Sequence, residues 1–203
     1  GNLLRLMREG RIVENEWERN FYELALKVSG AVQAARWTQL NDELGYQYSF
    51  NGPHSLFSDT IRSMRALGLS HALGHRLMGE MDRPISLLSR VLQHAETTAR
   101  YNVYFGTGRD FYDLRGRVVH ESIFNTNDGA YRCPSTQRGY TPFSSWTRGL
   151  AWILCGYPEE LEFFETLPAS EFEPFGGKAK IVARFLEVAE AVADFYIEQT
   201  PTD

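Results

Sequence analysis

Apolar residues recur along most of the chain at steps of three and four, the spacing of one face of a helix. Within residues 14–39 the stripe is Trp17, Phe21, Leu24, Val28, Val32 and Ala35, which predicts a long first helix. The stretch NDELGYQYSFNGPHS then breaks it with Gly45, Gly52 and Pro53. A second helix is expected from Ser55 or Ser58, either a suitable N-cap, to about Leu73, with Phe57, Ile61, Met64 and Leu67 on one face. A third is expected over 84–104, where Pro84 suits the first turn. Helical spacing returns over 145–166 and over 177–198, the latter carrying Ile181, Phe185, Val188, Val192 and Phe195.

One region reads differently. RVVHESIFNTNDGAYRCP, near 117–133, sets β-branched and aromatic residues on either side of Asn127, Asp128 and Gly129, the pattern of a β-hairpin. The helices carry enough apolar surface to need neighbours on more than one side. An all-α toroid or solenoid with one hairpin excursion satisfies that need better than a small bundle does. A plain helical array remains open on periodicity alone.

Composition narrows the class. With 203 residues, 43% apolar and 23% charged, the chain is expected to form a single folded domain over 1–203. A net charge of −5 supplies no electrostatic reason to bind nucleic acid or an anionic membrane. No apolar run approaches the roughly 18 residues of a membrane span. No signal-peptide pattern is present, so a cytoplasmic protein is expected. Cys133 and Cys155 lie outside metal-ligand spacing and read as free thiols.

The densest chemistry lies in RGYTPFSSWTRGLAW, residues 138–152. A helix starting near Ser144 or Ser145 would put Trp146, Arg148 and Trp152 at or near its N-terminal end, where backbone N–H groups and the helix dipole project. Indole faces stack on the C–H faces of sugars, and a guanidinium pairs with hydroxyls, carboxylates or sulfates. The competing reading makes both tryptophans core and Arg148 a surface cation.

QRGYTPFSSWTRGLAWILCGY closely resembles the motif Ser-x-Trp-x-Arg-Gly-x-Ala-Trp of unsaturated glucuronyl hydrolases, glycoside hydrolase family 88. Trp146, Arg148, Gly149, Ala151 and Trp152 match it in place. SDTIRSMRAL resembles an Asp-Thr-Leu-Met-Asn-type helix start of that family, and HAETTARY its His-Ala-x-Thr-Thr segment. The three segments stand in the family's order, so the resemblance covers about residues 45–165.

The resemblance implies an (α/α)6 toroid, a ring of six helical hairpins with a sugar pocket at one end. A chain of this length covers about half of such a ring. It is therefore expected to be the central segment of a longer enzyme, with open flanks that favour self-association. The implied reaction removes an unsaturated uronic acid from lyase-generated oligosaccharides by hydrating its C4=C5 double bond. No cofactor and no metal are implied, and the partner is an oligosaccharide.

Asp59 matches the family's catalytic aspartate, and His94 matches a histidine of the same pocket, so both are expected to be catalytic. Trp146 and Trp152 would stack on sugar rings, with Arg148 on their polar substituents. Arg138 stands where the family has a substrate-contacting glutamine, which leaves the bound substituent open. Tyr48, with Tyr46 and Phe50, alternates in a loop before Asp59 and lines the pocket or plugs the core. The family's second aspartate has no counterpart.

Bland alternatives accompany these assignments. A carboxylate at Asp59 suits the first turn of any helix. His94 also reads as a buried helix histidine bonded to the backbone. His54, His71, His75 and His120 show no metal-ligand spacing and read as structural or solvated. A sugar isomerase on the same barrel type and a noncatalytic carbohydrate-binding scaffold are the rival functions.

Overall fold

The chain is described over residues 2–201 by a computed structural model. Its helices are α1 (Asn2–Arg8), α2 (Glu16–Ala35), α3 (Met64–Ala72), α4 (Leu87–Tyr101), α5 (Thr147–Glu165) and α6 (Lys178–Gln199). Three small antiparallel sheets interrupt them. β1 (Trp37–Gln39) pairs with β2 (Gly45–Gln47), and β4 (Leu77–Met78) with β5 (Pro84–Ile85). In the third, β6 (Glu121–Phe124) lies between β3 (Ser55–Phe57) and β7 (Tyr131–Ser135).

Helix α4 forms the axis of the core. Ser86 caps it by accepting a hydrogen bond from the Ser89 N–H. Leu87, Leu88, Val91, Ala95 and Ala99 are all buried, as four-residue repetition on one face requires. Around them pack Ile61, Met64 and Leu67 from the second apolar stripe, Ile153, Tyr157 and Phe164 from α5, and Phe185, Val188 and Val192 from α6. A smaller aromatic cluster of Tyr46, Leu56 and Phe124 sits under the three-stranded sheet.

Several expected boundaries shift for identifiable reasons. Asn15 caps α2, accepting from the Glu18 N–H, but the helix stops at Ala35 instead of running to residue 39. Trp37, Thr38 and Gln39 leave it to pair with Gln47, Tyr46 and Gly45. The second helix begins later than expected, because Ser55–Phe57 is recruited by β6 and Ser58–Ser63 forms a 3-10 turn. Pro84 lies in β5 instead of a first turn, and α4 spans fewer residues than 84–104. Trp146 occupies the N-cap of α5 without a side-chain cap, so neither Ser144 nor Ser145 does.

The stripe of α2 is the largest departure. Trp17, Phe21, Leu24, Val28 and Val32 are 72%, 53%, 57%, 54% and 51% exposed, whereas the opposite face packs through Gly30 and Ala34. The spacing identified the helix correctly, but that face stays more than half exposed. The expected hairpin is present as β6–β7, with Gly129 at φ +72° in its turn, a conformation that favours glycine.

Candidate functional site

Three strands and one 3-10 turn bring the site together. β3 pairs antiparallel with β6, setting Phe57 opposite Glu121, and the Ser58 N–H donates to the His120 carbonyl at 2.8 Å. The turn carrying Asp59 is thereby fixed against the residue that precedes β6. Asn102, at the end of α4, donates from Nδ2 towards the Leu56, Val119 and His120 carbonyls at 3.3–3.5 Å. Helix, turn and sheet converge on one backbone node.

Asp59 uses its two oxygens differently. Oδ2 accepts from Arg138 Nη1 at 3.1 Å. Oδ1 lies 3.9 Å from His120 Nε2, too far for a hydrogen bond, and both atoms are buried without a partner. The His120 ring is gripped by Phe57 and Trp146, with centroids 4.5 and 4.6 Å away. Its Nδ1 accepts the Gln137 N–H at 3.1 Å, which places the proton of the neutral ring on Nε2, facing Asp59. Burial pulls the His120 pKa below its ordinary value, opposed by the Asp59 charge and reinforced by Arg138.

Arg138 is held by surfaces as well as charge. Its guanidinium lies 5.4, 5.9 and 5.5 Å from the rings of Phe50, Phe57 and Trp146, within cation–π range. Beside it, Gln137 Nε2 donates to Asn51 Oδ1 at 2.6 Å, and Asn51 Nδ2 donates to Glu121 Oε1 at 2.9 Å. A groove of about 210 Å³ opens alongside Asp59, walled in part by Gln33, Arg36, Gln47, Phe50 and Phe57.

Glycines let α5 approach this turn. A Cβ on Gly149 would stand 2.9 Å from both Ser58 Oγ and Trp146 Cε3, and one on Gly156 would stand 2.6 Å from Ile61 Cγ2. Gly149 belongs to the Trp-x-Arg-Gly stretch, so that stretch serves close packing as well as surface chemistry.

The sequence-selected residues separate into two groups. Asp59, Arg138 and Trp146 share one cluster. Trp152, six positions beyond Trp146, points to another side of the helix, where it packs on the core with Arg62 stacked at 4.9 Å. Arg148 is exposed on α5, and Tyr48 borders the aromatic cluster with Arg36 over its ring at 5.3 Å.

His94 takes a backbone-anchoring position. Fully buried in α4, it accepts the Gln47 N–H on Nδ1 at 3.1 Å, and burial lowers its pKa to about 3. Thr97 adds hydrogen bonds to Gly45 N and O at 3.1 and 2.9 Å. This face of HAETT therefore holds β2 against α4. The histidine that faces Asp59 is His120, a residue expected from its spacing to be structural or solvated. Metal-ligand spacing was an uninformative test for it, and its neighbours in RVVHES carry only the strand pattern.

With this geometry in view, solved structures supply the comparison. The chain folds like part of an unsaturated glucuronyl hydrolase. A UGL variant described with dGlcA-Glc-Rha-Glc superposes with a TM-score of 0.63 at 17% identity, covering 92% of this chain and 41% of that one. Unsaturated glucuronyl hydrolase from Bacillus sp. GL1, described as responsible for glycosaminoglycan degradation, gives 0.58 at 18% identity, over 94% and 42%. The enzyme from Streptococcus agalactiae gives 0.59 at 15% identity, over 87% and 37%. The chain thus spans about two-fifths of the length of these structures, and the likeness is one of fold. No protein-family model and no curated protein matches the sequence.

Among the described residues, no helix is long and apolar enough to cross a membrane. No cluster of three or more His, Cys, Asp or Glu side chains among them has the arrangement of a metal site. Cys133 and Cys155 are both free and exposed.

Proposed function

We propose that this chain carries the acid-bearing part of an unsaturated glucuronyl hydrolase-like glycosidase. In this reading, 1–203 is one segment of an (α/α)6 ring, and its substrates are lyase-generated oligosaccharides ending in an unsaturated uronic acid. The supporting observation is the facing pair of Asp59 Oδ1 and His120 Nε2, each buried and unpaired at 3.9 Å. Buried polar atoms normally find partners, so a pair left open suits a water or ligand hydroxyl that bridges both from one side.

Asp59 delivers a proton to C4 of the double bond, and positive charge develops at C5 and the ring oxygen. Water then adds at C5, giving up a proton to the Asp59 carboxylate. The resulting hemiketal opens and releases the neighbouring sugar, so one water is consumed and the acid is regenerated. A single carboxyl group performs both transfers, unlike the paired carboxylates of ordinary glycosidases. His120 Nε2–H orients the water or a ring hydroxyl, and the Trp146 indole supports the sugar face. Arg148, exposed on α5, is free to meet polar substituents of a longer oligosaccharide, whereas Trp152 and Tyr48 support the site from the core and from the neighbouring aromatic cluster. His94 serves indirectly by holding β2.

Loss of ultraviolet absorbance from unsaturated disaccharides incubated with the protein tests the reading. A decrease abolished by Asp59→Asn supports it, and constant absorbance across a panel of uronate-terminated substrates rejects it. The Arg138–Asp59 ion pair favours one second reading, a carbohydrate-binding scaffold whose aspartate is permanently engaged. That reading requires sugar affinity unchanged by Asp59→Ala and no turnover in either form.

A further inference from the structure

Arg138 occupies the mouth of the site in a manner that a neutral side chain there could not. One of its five N–H donors engages Asp59 Oδ2 at 3.1 Å. The guanidinium is flanked by Phe50, Phe57 and Trp146, and its side chain is 43% exposed against 25% for Asp59. Three aromatic rings flank it, and its exposure leaves part of the guanidinium in contact with solvent. Phe50, Phe57 and Asp59 also wall the groove, and Arg138 lies against all three, which sets the cation beside it. An exposed ion pair of this kind contributes little by itself, and a bidentate oxyanion is a stronger partner for a guanidinium than one carboxylate oxygen.

We propose that Arg138 is an exchangeable lock: it closes Asp59 in the empty site and transfers to an oxyanion on the bound sugar, making anionic sugars the preferred ligands. The inference rests on the hydrolase reading for the role of Asp59, but the preference for charge does not require turnover. The ligand class is a sugar bearing a carboxylate or a sulfate ester. Transfer of the guanidinium releases Oδ2, so both oxygens of the carboxyl group can then serve the reaction, where Oδ1 alone is unpaired in the closed site. Charge recognition and acid availability are therefore coupled through one side chain. No competing acidic group contacts Arg138 among the described residues apart from Asp59.

The test uses unreactive saturated sugars, so that a failed lock and a failed hydrolase are distinguishable. Methyl glucuronide, glucose 6-sulfate and methyl glucoside are titrated into wild type, Arg138→Gln and Arg138→Lys, with binding followed by chemical-shift changes of the Trp146 indole N–H. Wild type is expected to bind both anionic sugars about tenfold more tightly than the neutral one. The Gln variant should lose that preference while keeping its affinity for methyl glucoside. The Lys variant should retain part of it, and raised salt should weaken it in wild type. Preference for the glucuronide alone assigns the carboxylate as the physiological oxyanion, and preference for the sulfate alone assigns the ester. Equal binding of charged and neutral sugars by wild type, no binding of any of them, or a preference unchanged by Arg138→Gln or by salt overturns the proposal. If the Gln variant does not fold, the Lys variant and the salt series decide on the same criteria.

Discussion

His120 Nε2 and Asp59 Oδ1 face each other across 3.9 Å, and neither atom has a hydrogen-bond partner. Their separation is set by backbone pairing on both sides: Ser58 bonds the His120 carbonyl, and β3 bonds β6. Arg138 holds the other carboxyl oxygen, Oδ2, at 3.1 Å. Under the proposed function, the cost of two unsatisfied atoms is recovered when substrate or water bridges them.

Replacing Asp59 with Asn should reduce turnover of an unsaturated disaccharide by about 10² to 10⁴, the usual range for a general acid–base group. Sugar binding should change little, because Asn keeps the shape and an acceptor. Single-turnover absorbance measurements check the rate, and titration with a saturated sugar checks binding. Retention of more than about a third of wild-type kcat would contradict the assignment.

His94 should govern part of the acid sensitivity. Its pKa is lowered to about 3 by burial, whereas an unfolded histidine titrates near 6.5. Between these values the unfolded chain binds the proton and the folded chain does not, so stability falls as pH drops from about 6.5 towards 3. His120, also lowered by burial, acts in the same direction. His94→Asn offers the Gln47 N–H an uncharged acceptor, and denaturant melts across this range should show a flatter pH dependence than wild type. An identical slope would mean that His94 titrates normally.

Gly156→Ala should destabilise the fold despite the better helix propensity of alanine, worth about 1 kcal/mol. The added Cβ meets Ile61 Cγ2 at 2.6 Å, and overpacking of this kind costs about 1–3 kcal/mol. Thermal denaturation of the variant reads the balance. A raised melting temperature would show that α5 can retreat from the 3-10 turn at no cost.

The exposed face of α2 should make residues 1–203 self-associate when prepared alone. Trp17 and Phe21 stack there with centroids 5.7 Å apart, and an apolar patch of this extent seldom stays uncovered. Light scattering should report concentration-dependent assembly, relieved by Phe21→Glu together with Val28→Glu. A monodisperse wild-type monomer would remove the expectation.

Periodicity located α2, α5 and α6 well because each is long enough for several repeats. It could not foresee which side of α2 would find neighbours, since burial depends on what packs against the helix and the stripe records only that a side is apolar. Short strands were nearly invisible: Trp37–Gln39 and Ser55–Phe57 each offer three residues, and pairing decides their state, with the nearby Gly45–Gln47 for the first and the distant β6 for the second. At the site, Asp59, Arg138 and Trp146 stood out through wording similar to a known motif. His120 did not, because what distinguishes it is the pair of flanking rings and the aspartate opposite, which come together only after β3 and β6 meet.

That meeting has an architectural consequence. Asp59 and His120 lie in separate parts of the chain, yet three ladder positions between β3 and β6 determine their spacing. The loops between them, including the surface around Phe111, Tyr112 and Leu114, can change length or accept an inserted module without altering the distance between acid and imidazole. Evolution and engineering alike are free to rebuild that loop surface, provided α4, its Asn102 node and the register of the small sheet are kept.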